Sequence, residues 1–205
     1  MGLRERKKEK TRLALLDAAL DLFLEQGYEA TTIEQIAGVV EVSSRTFFRY
    51  FASKEHLALW FHDHSEEVMQ AELSARPLDE PPFTSLVHAL RATLRDMAES
   101  TPDDTERFLK LRKLYDSTPV LVGRSVARGA ETEQRLAAEI ARRTGRGDDD
   151  RLPHLMVAFA MASMRVGFEC PINEITDLRE LVARMNSTLE LVQRSLVPGW
   201  DLARG

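Results

Sequence analysis

The chain has 205 residues, of which 43% are hydrophobic and 30% charged, and Lys+Arg 28 against Asp+Glu 33 leave a net charge of −5. That composition fits a folded globular protein and excludes a disordered or collagen-like one. The single Cys170 excludes an intrachain disulfide, no apolar run reaches the ~18 residues of a membrane span, and Met1-Gly2-Leu3-Arg4 leads into charge rather than an apolar leader; the expectation is a reducing, cytoplasmic location with no membrane partner.

In chain order the pattern is helical throughout. From about residue 8 to Gln26, Leu13, Leu16, Leu20, Phe23 and Leu24 fall on one face, and Gly27 supplies a stop. Thr32 with Gln35, or Thr31 with Glu34, fits a capping box that opens a short helix over about 32–39. Ser43 can cap a third helix, Ser44 to about Phe51, and Ser53 a fourth, Lys54 to about Leu73. Arg76-Pro77 through Pro81-Pro82 breaks the pattern and marks a candidate hinge. Further helices are expected at about 83–99, 104–117, 119–144, 151–169 and 175–197, with Pro119 at a position a first turn tolerates. No run of alternating β-branched residues occurs, so the expected fold class is all-α.

Positive charge is concentrated on this acidic chain. Arg4, Arg6, Lys7, Lys8, Lys10 and Arg12 face only Glu5 and Glu9 in the first twelve residues, and Arg45, Arg49 and Lys54 occupy 42–54 with no acid. Such a distribution suits DNA better than the net charge implies. On a 3.6-residue wheel Phe47 and Phe51 share an inward face, while Ser44, Arg45, Phe48, Arg49 and the edge of Tyr50 face outward or flank it. A short helix opened by small polar residues fits a major groove about 12 Å wide, where Arg can bond guanine bidentately and Ser or Thr can meet base or phosphate. The preceding helix and the turn Val40-Glu41-Val42 complete a helix-turn-helix, and Lys54 at the next helix start is placed to clamp a phosphate.

Residues 11–60 resemble the N-terminal DNA-binding domain of the TetR family of bacterial transcriptional regulators. The strings that carry it are Ala18-Ala19-Leu20-Asp21-Leu22-Phe23, Gln26-Gly27-Tyr28-Glu29-Ala30-Thr31-Thr32-Ile33, Ile36-Ala37 and Thr46-Phe47-Phe48-Arg49-Tyr50-Phe51-Ala52-Ser53-Lys54-Glu55. The resemblance implies a three-helix DNA-binding domain over 1–53, a connecting helix over 54–76 and a ligand-binding and dimerisation domain over 77–205. It implies a homodimer on a palindromic double-stranded operator, released by a small-molecule effector, acting as a repressor, with no enzymatic activity, cofactor or metal. Carried onto this sequence it makes Thr32, Tyr50 and Lys54 phosphate contacts, Ser44, Arg45 and Thr46 base-edge readers, and Arg49 a reader of either; Ser43 and Phe48 complete the DNA-facing set. Two positions depart from the family pattern: Glu41 stands where the turn usually has Gly, and Phe48 where Tyr is common.

The larger half is less informative. Leu111 to Leu121 resembles a subset of members with an acyl-CoA-like ligand domain, so the implied effector is acyl-CoA-like. Candidate effector contacts are His88, Arg91, Arg112, Tyr115, Met161 and Arg165. In the last helix Leu178, Met185 and Val192 repeat every seven residues, as do Val182, Leu189 and Leu196. One such seam can be buried inside a monomer; with the small residues Ala158, Ala160, Ala162, Ser163 and Gly167 it better suits a four-helix bundle between two subunits. An enzyme reading fails: His62 and His64 point about 200° apart on a helix and cannot share a metal, and Gly123-Arg124-Ser125-Val126-Ala127 lacks the last Gly of a nucleophile elbow. The alternative, a helical dimerisation or small-molecule-binding protein without DNA binding, leaves the Ser44-to-Lys54 cluster unexplained.

Overall fold

The computed structural model describes residues 2–99, 101–147, 149–169 and 178–195. Among them are ten α-helices and no strand: α1 Leu3–Gln26, α2 Ile33–Val39, α3 Ser44–Phe48, α4 Lys54–Ala58, α5 Trp60–Ala75, α6 Pro82–Ala98, α7 Pro102–Ser117, α8 Pro119–Thr144, α9 Arg151–Phe168 and α10 Leu178–Ser195. The all-α expectation holds. Two boundaries differ in an instructive way. α1 begins at Leu3, because Arg4 to Lys10 are good helix formers that need no buried face to extend an existing helix. The expected fourth helix is divided at Leu59, whose φ of −98° and ψ of 6° end α4 before α5 starts.

The helices form two compact units, one of residues 1–61 with 102–125, the other of 62–101 with 126–205. In the first, α1 packs against α2, α4 and α7, and α2 against α3. Leu15, Leu20, Phe23, Ile36, Phe47 and Leu57 are joined in its core by Leu111, Leu114 and Leu121 from α7 and α8. Arg107 on α7 donates to both carboxylate oxygens of Asp17 on α1, at 2.6 and 2.9 Å, and Lys110 pairs with Asp21 at 2.6 Å. Thus α7 is built onto the α1–α4 bundle, although α5 and α6 intervene in the chain; the break at 76–82 is not where the compact units part.

In the second unit α6 is the central helix, buried along much of its length through Phe83, Leu86, Val87, Leu90, Leu94 and Met97, and it packs against α9 and α10. The loop after α5 is tied down. Arg143 donates to the carbonyls of Leu73, Arg76 and Pro77 at 2.7–3.1 Å, capping α5, while Glu80 accepts from Arg76 and from the Ser85 hydroxyl at 2.7 Å. Between α5 and α8, Thr132 and Arg135 donate to the buried Glu66 carboxylate, Thr132 at 2.9 Å. Burial pushes that carboxyl's pKa up, but these hydrogen bonds outweigh it and the net shift is downward.

Leu178, Val182, Met185 and Leu189 are buried within the single chain, on a helix packed against α6 and α9, and have little surface left for a partner. Val192 is half-buried, and Leu196 lies outside the described residues. A heptad reports that a helix has an apolar stripe; it does not say whether the covering surface belongs to the same chain. Among the described residues, the exposed large apolar side chains of this pair of helices are Leu155, Phe159 and Val166 on α9 and Leu191 on α10.

Candidate nucleic-acid interface

The entry to α2 is a closed set of hydrogen bonds. The Gln35 amide donates to the Thr32 hydroxyl at 3.2 Å, and the Thr32 amide donates to the Gln35 side-chain oxygen at 2.8 Å, which is the expected capping box. Gln26, at the end of α1, donates to the same Gln35 oxygen at 3.1 Å and to the Thr31 hydroxyl at 3.2 Å. Gly27, with φ of 93° and ψ of 149°, makes a turn closed to other residues. The capping-box spacing signals Gln35; nothing in the sequence singles out Gln26 as part of this site.

The turn between α2 and α3 is a Schellman motif. The Val42 amide donates to the Ala37 carbonyl at 2.9 Å and the Glu41 amide to the Gly38 carbonyl at 3.1 Å. Its left-handed position is Glu41, at φ of 55°, so the departure noted in the sequence leaves the turn's shape unchanged and is met by strain in one residue. The same motif ends α8, where Gly145 holds the left-handed position at φ of 64°.

α3 is opened by Ser43, whose hydroxyl accepts from the Thr46 amide at 3.2 Å. Phe47 and Phe51 are fully buried, their ring centroids 5.7 Å apart. Arg45, Phe48 and Arg49 are exposed, at i, i+3 and i+4 on one face of the helix, with Phe48 55% exposed. Ser44, Thr46 and Tyr50 are half-buried, and Thr32 and Ser43 are exposed. The Arg49 guanidinium lies 5.2 Å from the centre of the Tyr50 ring and donates to its hydroxyl at 3.3 Å, which holds both side chains in one orientation. A short, capped helix thus rests on buried Phe47 and Phe51 with Arg45, Phe48 and Arg49 turned to solvent.

Lys54 does not stand as the sequence placed it. Its ammonium donates to the carbonyls of Tyr28 at 2.6 Å, Thr31 at 2.9 Å and Glu29 at 3.4 Å, and lies 4.4 Å from the centre of the Tyr28 ring. The three donors of the ammonium are directed at the protein. Helical position revealed that Lys54 opens α4, but only the fold reveals that the α1–α2 loop passes beside it.

One model of bacterial regulatory proteins of the tetR family matches residues 15–59, and one of the MftR C-terminal domain matches residues 84–196. TcmR of Streptomyces glaucescens, an HTH-type transcriptional regulator, is 40% identical over 203 residues, covering 97% of this chain and 90% of that protein. The chain belongs to the TetR family. This TetR-family regulator is also 31% identical to MftR of Mycobacterium tuberculosis over 158 residues, 76% of each protein. Its fold is similar to that of NalD, the secondary repressor of the MexAB-OprM multidrug efflux pump in Pseudomonas aeruginosa, with a TM-score of 0.56, 24% identity and coverage of 94% and 99%. It is also similar to SmeT in its triclosan complex, with a TM-score of 0.55, 18% identity and 96% of each chain covered. The TetR-family regulator is therefore a DNA-binding, non-enzymatic protein whose helix-turn-helix is α2 and α3. No group of metal-ligating side chains occurs among the described residues, and no helix among them is long and apolar enough to cross a membrane.

The candidate effector residues divide between the two compact units. Arg112 and Tyr115 belong to the first unit, where the Tyr115 hydroxyl donates to the Ala58 carbonyl at 3.0 Å. The others lie in the second. There Arg91 donates to Gln193 at 3.0 Å, His88 stands 3.8 Å from Glu80, and Arg165 is exposed and paired with Glu169 at 2.7 Å. Of the six, Met161 packs in the apolar core of the second unit, with Met69, Leu86, Leu90, Leu136 and Val157. The sequence does not single out this cluster because its residues are ordinary core chemistry drawn from α5, α6, α8 and α9.

Proposed function

We propose that this TetR-family regulator is a homodimeric repressor that binds a palindromic operator and is released by a small-molecule effector. The observation that carries the proposal is α3. Its Arg45, Phe48 and Arg49 face solvent while Phe47 beneath them is fully buried, so a rigid helix presents base- and phosphate-binding groups without disturbing its own core. Ser43, Ser44, Thr46, Tyr50 and Thr32 complete the contact set. Two such helices about one DNA turn apart, roughly 34–36 Å, bind a palindrome with far more free energy than either alone.

The dimer reading rests on α9 and α10. Leu155, Phe159 and Val166 recur at spacings of four and seven, which sets them on one face of α9, and Leu191 is exposed on the adjoining α10. Exposed apolar groups on two neighbouring helices suit a four-helix bundle shared by two copies. The effector reading rests on the apolar cluster around Met69 and Met161, which is closely packed in this structure and whose flexible thioethers would let it open to an apolar guest; the triclosan complex of SmeT supports a small molecule in this fold. Exchanging Leu155 and Val166 together for Asp tests the proposal. Both are about half exposed, so the fold survives while the shared face is charged. Light scattering is expected to give a folded monomer, and mobility shift with the chain's own promoter DNA to show operator binding lost. A monomer with undiminished binding overturns the dimeric reading.

A further inference from the structure

We propose that Lys54 is a positioning residue for the recognition helix, acting on specificity through the backbone of the α1–α2 loop and not by touching DNA. The inference rests on the reading of α3 as the operator-reading helix. Three carbonyl oxygens, of Tyr28, Glu29 and Thr31, converge on one ammonium at 2.6, 3.4 and 2.9 Å. Lys54 follows the Ser53 cap of α4, so the ammonium joins the start of α4 to a loop 23–26 residues earlier in the chain. The Tyr28 ring covers it at 4.4 Å, and Tyr28 packs edge-on against Phe23 in the core, with centroids 5.0 Å apart.

The loop leads straight into α2. Thr31 is 1% exposed, and the next residue, Thr32, is the N-cap. A shift of the Thr31 carbonyl therefore displaces α2, and α2 packs on α3. The Tyr28 and Thr31 carbonyls, both bonded to Lys54 in part-buried surroundings, move toward water or another donor when the ammonium is removed, because an unsatisfied acceptor is costly. The groove contacts of Arg45 and Arg49 depend on placement at the ångström scale, whereas attraction to the phosphate backbone does not. Lys54 thereby governs how well α3 reads sequence.

The test compares Lys54→Met, which keeps the aliphatic stem and removes every donor, with Lys54→Arg, which restores donors. Each is titrated with operator and with random duplex DNA over a range of salt, at a temperature where circular dichroism shows the protein folded. Lys54→Met is expected to weaken operator binding roughly tenfold, leave random-sequence binding and the salt slope unchanged, and so lower the specificity ratio; Lys54→Arg should recover most of that ratio. A salt slope lower by about one unit, with both DNAs weakened alike, assigns Lys54 to a phosphate and overturns the proposal. An unchanged ratio with only a lower melting temperature overturns it too, leaving Lys54 a stability residue. If wild-type protein shows no preference for operator over random DNA, the α3 reading itself fails, separately from Lys54.

Discussion

Gly167 on α9 lies directly against Met185 on α10: a Cβ placed on Gly167 would come within 2.8 Å of the Met185 Cα. This close approach explains why the stripe of Leu178, Val182, Met185 and Leu189 is enclosed by the chain's own helices, since a residue without a side chain lets the two backbones come together. Gly167→Ala should destabilise the protein by about 1–3 kcal/mol, the usual cost of overpacking. Urea unfolding measures it; an unchanged midpoint would show that the helices separate freely.

Glu41 invites the opposite change. A non-glycine residue in the left-handed region costs about 1–2 kcal/mol, and glycine's freer unfolded chain returns about 0.4–1 kcal/mol of that. Glu41→Gly should therefore stabilise by about 0.5–1 kcal/mol, with operator specificity retained because the Schellman hydrogen bonds are backbone ones. Paired unfolding curves check the sign.

Glu80 gives a pH signature. Hydrogen bonds from Arg76, opposed by burial and aided by Ser85, hold its pKa down at about 2 against an ordinary 4.5. Because the folded value is the lower one, its contribution is complete above about pH 4.5 and is lost as the pH falls toward 2. Glu80→Gln should flatten that part of the stability–pH curve. Equal slopes for the two proteins between these values would exclude the Arg76–Glu80 pair as a source of acid sensitivity.

Arg45 is exposed on α3 and tests base readout. Arg45→Ala should weaken operator binding by about 1–3 kcal/mol and relax preference at one base position per half-site. Uniform weakening on every sequence would make it a phosphate-binding group instead.

Deleting residues 2–10 removes the basic start of α1. Arg4, Arg6, Lys7, Lys8 and Lys10 are exposed, so folding stability should hold while affinity and the salt slope both fall, by about one slope unit for each phosphate no longer neutralised. A salt series of binding isotherms decides; a changed consensus in a selection experiment would mean that the segment also reads bases.

The helix-turn-helix was legible because its signals are local. Gly27, the Thr32–Gln35 box, the Ser43 and Ser53 caps and the Phe47/Phe51 spacing each act within a turn or two of helix, and all recur in the structure. What the sequence could not determine is which distant surfaces meet. Lys54 read as an outward charge, yet its donors are taken by a loop 23–26 residues away. Tyr115 read as a ligand group, yet its hydroxyl is bound by Ala58. The stripe from Leu178 to Leu189 was recognisable as buried, but whether a partner or α6 and α9 covered it was not. Periodicity along one helix specifies that a face must leave water; only tertiary packing specifies what replaces the water.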